Sequence, residues 1–133
     1  METTNKKGAV MEQSFNEMVV NGVTYVPKGS EVTMADSRDG MKYVIVRTNR
    51  AGVFAGFLES RKGQETVMRD ARRLWYWDGA ASLSQMAMEG TKAPDACKFP
   101  VAVDRVELLD AVEILDVTAQ ARASIEGVKV WTR

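Results

Sequence analysis

The chain contains no histidine. That removes the usual general base near neutral pH, the commonest metal ligand, and every Ser-His or Cys-His nucleophile arrangement. A single cysteine, Cys97, excludes an intramolecular disulfide and a cysteine-based zinc site, and it fits a reducing compartment. No apolar run approaches the roughly 20 residues that span a bilayer, and the first ten residues lack the apolar core of a secretory signal. Net charge is missing as well: 18 basic residues balance 18 acidic ones. No global field then draws the chain to long nucleic acid or to an anionic membrane. These absences predict a cytoplasmic, non-catalytic protein with no membrane contact, no metal and no cofactor. Only carboxylate or substrate-assisted chemistry stays open.

What is present suits one domain: 133 residues, 45% of them hydrophobic. The expected fold class is α+β, a small antiparallel β-meander sheet with one or two packed helices and an N-terminal β-hairpin. Residues 1–16 are polar and aperiodic, and are expected to be mobile or to form an oligomer arm. Residues 17–40 hold a hairpin around Asn21-Gly22, closed by Pro27, and a linker rich in Gly, Ser and Asp. Residues 41–133 form the body. Strands are expected at 43–48, 53–59, 65–68 and 72–77, a helix at 80–89 capped by Gly90, and β-like runs at 101–108 and 111–117. A short helix capped by Thr118 and a last strand at 128–131 complete it.

The segment Arg69-Asp-Ala-Arg-Arg-Leu-Trp-Tyr-Trp77 is the densest in chemistry. In a regular strand, Arg69, Ala71, Arg73, Trp75 and Trp77 share one face, and Arg72, Leu74 and Tyr76 the other. Guanidinium groups beside indoles suit a planar anion, because arginine forks onto phosphate and aromatic rings stack on bases. The same residues also read as core tryptophans whose edges are covered by arginine. A bulge at Asp70 would shift the parity by one. Ser82 and Ser84, at the start of the expected helix, either add donors to an anion or simply cap the helix. Arg47 ends the first body strand, either in a salt bridge to Glu59 or Glu65, or beside Arg69 or Arg73. Met41, Met68, Met86 and Met88 read as gap-filling core. Glu107, Asp110, Glu113 and Asp116 recur every three residues. They form either one acidic helix face or the solvated side of a β-hairpin, and the β-branched content favours the hairpin.

The blocks Tyr43-Val-Ile-Val-Arg-Thr, Ala51-Gly-Val-Phe-Ala-Gly-Phe-Leu-Glu-Ser-Arg, Ala71-Arg-Arg-Leu-Trp-Tyr-Trp-Asp-Gly-Ala-Ala-Ser-Leu-Ser-Gln and Cys97-Lys-Phe-Pro resemble a family of small proteins encoded by tailed phages and prophages. The resemblance runs from about Asn21 to Trp131. It implies a bacterial host cytoplasm as the setting, and brings no catalytic residues with it. By analogy of setting and chemistry, it points towards phage anti-defence proteins that sequester nucleotide signals between subunits of a homo-oligomer. The expectation is therefore a homo-oligomer holding a small anionic nucleotide-like ligand. Arg47, Arg69 and Arg73 would contact phosphate, Trp75 and Trp77 would stack, and Ser82 and Ser84 would add donors. The alternatives are a protein–protein interaction module acting on a host or phage partner, and a minor virion or assembly component.

Overall fold

A computed structural model describes residues 32–133, together with the backbone of two short strands, β1 (Met18–Val20) and β2 (Val23–Tyr25). β1 and β2 pair antiparallel. The Asn21-Gly22 turn, the segment 1–16 and residues 26–31 at the start of the linker lie outside the described residues.

The body is built on five antiparallel strands: β3 (Lys42–Thr48), β4 (Val53–Lys62), β5 (Glu65–Arg73), β6 (Val103–Leu108) and β7 (Ala111–Asp116). Their order in the sheet is β6-β5-β4-β3-β7. β6 and β7 thus stand at opposite ends of the sheet, yet only Leu109 and Asp110 separate them in sequence. Three Cα steps cover at most about 11 Å, so the sheet must curl until its two edges approach each other at that end. Two backbone bonds hold the corner: Asn49 donates to the Asp110 carbonyl (3.0 Å) and Ala111 to that of Gln64 (2.9 Å). The expected β6–β7 hairpin is therefore not formed. The β-branched content gave both strands correctly, but strand content cannot say with which neighbour a strand pairs.

Curling gives the sheet an inside and an outside, and both are apolar. Inside lie Val44, Val46, Phe54, Met68, Ala71, Leu108 and Ala111, drawn from all five strands. Outside, Tyr43, Ile45, Ala55 and Phe57 meet Leu74, Met86, Ala87, Phe99, Val117, Ala121, Ile125 and Val128. Two-sided cover explains why Tyr43-Val-Ile-Val46 is buried at every position rather than at alternate ones. The outer layer contains two helices, α1 (Leu83–Glu89) and α2 (Ala119–Gly127). Ser82 caps α1 by accepting from the Gln85 N–H, and Thr118 caps α2 through the Ala121 N–H. Gly90 ends α1 at φ 77, where an added Cβ would lie 2.3 Å from that of Ser124. α1 starts at Leu83 rather than Ala80, because Ser82 takes the capping role three residues into the expected span. Met68 and Met86 are fully buried and Met41 partly so, but Met88 is exposed and is not core.

Two bulges bend β4 and β5. The β4–β5 register shifts between Ala55 and Phe57, opposite Asp70, and again between Leu58 and Ser60. Asp70 sits at φ 50, in the left-handed region. Gly56 faces this kink: a Cβ there would stand 2.8 Å from the Ala71 Cα and 3.0 Å from the Arg69 and Asp70 carbonyl oxygens. The bulge rewrites the expected parity. Arg69 pairs across from Phe57, on the helix-covered face, whereas Arg73 pairs with Phe54 on the inner face. β5 also stops at Arg73 rather than at Trp77, and 128–131 contributes one parallel bridge, Phe99 to Val130, in place of a strand.

Candidate functional site

The β5–β6 ladder does not end where the strands do. Arg69 opposite Arg105, Ala71 opposite Val103 and the isolated bridge Tyr76 opposite Lys98 all keep one offset. The two chains therefore run on side by side past the sheet, with 77–97 emerging as an insertion. Tyr76 and Lys98 exchange backbone bonds at 3.3 and 2.8 Å. On the far side of this extension, the Trp131 N–H donates to the Phe99 carbonyl at 3.0 Å.

That arrangement sets Trp75 against Trp131. Their rings lie 5.1 Å apart between centroids and 6° from parallel, a stack worth about 0.5–1.5 kcal/mol beyond its area. Trp75 keeps 56% of its surface exposed, and Tyr76 keeps 49%. Lys98 Nζ lies 5.7 Å from the Trp75 centroid, 5.8 Å from that of Trp131 and 5.6 Å from that of Tyr76. A charge nearly equidistant from two stacked rings sits beside the stack and not over an outer face. Arg133 adds a second cation, 5.4 Å from the Trp131 ring. The result is an exposed aromatic platform with cations at its rim.

Arg72 holds this platform from beneath. It is buried, and its guanidinium donates to the carbonyls of Ile125 (2.9 Å), Phe99 (3.0 Å) and Pro100 (3.1 Å). Burial pulls its pKa down, opposed by the field of Tyr43, but an arginine stays charged. The Phe99 oxygen receives both the Arg72 guanidinium and the Trp131 backbone N–H, so one carbonyl ties the buried fork to the half-buried partner of Trp75.

The expected site residues do not come together. Arg47 forms a 2.8 Å salt bridge to Glu113, rather than to Glu59 or Glu65. Arg69 is spent on Glu59 (3.3 Å) and Asp104 (3.6 Å), in a network that Arg105 joins. Arg73 lies over the Phe54 ring, 4.5 Å from its centroid. Trp77 packs against the outer core. Ser82 is used as a helix cap, and Ser84 is exposed on a helix of only 7 residues. Trp75 alone is on the platform, with Arg73 two residues away. Tyr76, Lys98 and Trp131 are the residues that sequence reasoning missed. Trp131 needed the long-range bridge from Phe99 to be seen, but the offset linking Tyr76 to Lys98 follows once β5 and β6 are paired.

The acidic series also dissolves. Glu107 pairs with Arg105 (2.8 Å), Asp110 with Arg50 (2.8 Å), Glu113 with Arg47 (2.8 Å) and Asp116 with Lys42 (3.0 Å). These four carboxylates form surface ion pairs on the two edge strands and the link between them. Among the described residues no group of three or more Cys, Asp or Glu is arranged to hold a metal, and no helix is long and apolar enough to cross a membrane.

Fold and surface together define a small α+β protein: a curled five-stranded antiparallel sheet, two helices outside it, and an exposed aromatic–cationic face. By sequence the chain belongs to the family described as Domain of unknown function (DUF6948), matched over residues 41–125. The match includes Trp75, Tyr76 and Lys98, while Trp131 lies beyond it. No characterised protein and no solved structure matches the chain.

Proposed function

We propose that the protein is a non-catalytic binding module that holds a small, planar, anionic, nucleotide-like ligand on the Trp75–Trp131 platform. The observation that carries this reading is the parallel indole pair, with Trp75 exposed, Trp131 half-buried behind it and Lys98 at its rim. A base stacked on an exposed indole gains about 1–3 kcal/mol whatever its sequence identity. Lys98 Nζ, beside the stack, is placed to meet the phosphate. The lack of histidine supports a binding role over a catalytic one. The resemblance to phage proteins supplies the setting. In it, the module acts as a homo-oligomeric accessory factor in the host cytoplasm, sequestering a nucleotide-type immune signal.

Isothermal titration against mononucleotides, cyclic nucleotides and ADP-ribose isomers tests the reading. At least one ligand should bind more tightly than about 10 μM, near −7 kcal/mol. Trp75→Ala and Trp131→Ala should each weaken it about tenfold or more. If no member of the panel reaches that affinity, the reading is wrong.

A second reading, a protein–protein docking module, is favoured by one observation. The platform is open, and Val101 (66% exposed) and Val130 (44% exposed) flank it, as at an interface core rich in aromatic residues. Recovery of a stoichiometric protein partner, lost on Trp75→Ala and with no small molecule retained, would favour it.

A further inference from the structure

Beside the platform, the inner face of the sheet opens into a groove of about 300 Å³ lined by Phe54, Ala71, Arg73, Pro100, Val101 and Val103. The groove is apolar except for Arg73, whose guanidinium lies over the Phe54 ring. Ala71 and Arg73 on one side, and Pro100, Val101 and Val103 on the other, belong to the two chain segments that carry Trp75, Tyr76 and Lys98, while Phe54 comes from β4. Arg73 precedes Trp75 by two positions, a step of roughly 6.5 Å along an extended chain. Pro100 and Val101 directly follow Lys98 and Phe99, and lie between the Ala71–Val103 and Tyr76–Lys98 pairs, which share one offset. Among the described residues, neither Arg73 nor Lys98 is within salt-bridge distance of a carboxylate.

We infer that the groove is a second subsite, and that the ligand class is a dinucleotide. This rests on the platform reading above. One base stacks on Trp75. The linking phosphodiester lies between Lys98 and Arg73. The second base enters the groove against Val101 and Val103, with Arg73 moving off Phe54 towards the phosphate. The charge pattern selects this occupant: two surfaces fit for planar apolar groups, each with a cation of its own, Lys98 at the platform and Arg73 in the groove. A mononucleotide covers only one surface, and an uncharged apolar molecule leaves both cations unused. A long polyanion meets a chain whose charges sum to zero. Linking two groups that bind adjoining sites turns the second contact into an intramolecular one, so affinity rises without new chemistry.

Titration calorimetry with each nucleoside 5′-monophosphate and the matching linear homodinucleotide, at one fixed salt concentration, tests the inference on the full chain. The dinucleotide should bind at least tenfold more tightly than its mononucleotide for one or more bases. Arg73→Ala and Val101→Glu should bring that ratio towards one, with thermal unfolding of each variant confirming an intact fold. Phe54→Leu, which keeps the groove apolar, should preserve most of it. Equal affinities for mono- and dinucleotides overturn the second subsite but leave the platform reading standing. A ratio that survives Arg73→Ala and Val101→Glu also overturns it. Failure of both ligand classes to bind overturns this inference together with the reading it rests on.

Discussion

Arg72 connects the interior to the surface. A buried guanidinium is a costly group, stabilised here by a hydrogen bond from each of its three nitrogens to a backbone carbonyl. Arg72→Met keeps much of the volume but removes the donor from three oxygens; those of Phe99 and Ile125 keep the Trp131 and Val128 N–H groups, while that of Pro100 is left without Arg72, so unfolding in urea should show a loss of about 1–3 kcal/mol. Arg72→Lys should recover little, because a single ammonium cannot reproduce the fork. Tyr43 makes a second residue-level prediction. Burial, reinforced by Glu126, pushes its phenol well above the ordinary tyrosine range. A raised folded pKa means that its contribution is complete below the unfolded value of about 10 and is lost as pH climbs towards the folded one. Stability should therefore fall steeply above about pH 10, and Tyr43→Phe should flatten that limb in denaturation curves measured from pH 9 to 11. With no histidine in the chain, no imidazole contributes to stability changes near neutrality.

At the scale of the element, the Asp70 bulge decides how the sheet bends and which arginines meet. Gly56 is the glycine that permits it, since a methyl there would press into the backbone of Ala71, Arg69 and Asp70. Gly56→Ala should cost about 1–3 kcal/mol and broaden or shift the amide spectra of β4 and β5; a melting temperature equal to that of the parent would refute the close fit. Here also lies the limit of what the sequence could tell. Strand positions in β3, β4 and β5, the Thr118 cap and the Gly90 stop were readable from β-branched runs, turn residues and capping chemistry. The face assignment was not. Aspartate tolerates the left-handed region, so a bulge at Asp70 could be named from the sequence, but nothing in Arg69-Asp-Ala71 decides that it forms, and that one residue carried Arg69 away from Arg73. Trp131 joined Trp75 through the Phe99–Val130 bridge, which spans β6, β7 and α2 in sequence, beyond the reach of any short-range pattern.

For the molecule as a whole, α+β was legible because helix- and strand-period segments alternate with clear stops, but the closure of the sheet was not. Two strands with so short a link are expected to form a hairpin, and here they bound opposite edges. Charge balance was equally legible, and its distribution is now physical: Arg47, Arg50, Lys42 and Arg105 each sit on a nearby carboxylate. Exposed pairs of this kind contribute little to stability. Raising salt from 0.1 to 0.5 M should therefore move the melting temperature by no more than a few degrees, whereas binding of an anionic ligand should weaken measurably. A large thermal shift with salt would mean that the pairs matter more than their exposure suggests.

The Leu109-Asp110 link has a consequence in time as well as in space. β3, β4 and β5 follow one another through short turns and can assemble as a local meander. β6 reaches β5 only after the long insertion has been drawn in, and β7 must then find β3 across the rest of the body. Chain closure over such separations is paid before its contacts are gained, which places folding in the range of milliseconds to seconds. In stopped-flow refolding, substitutions in the β3–β5 meander should slow folding, and those in β7 should chiefly speed unfolding. The last strand to dock would then be the one that locks the structure.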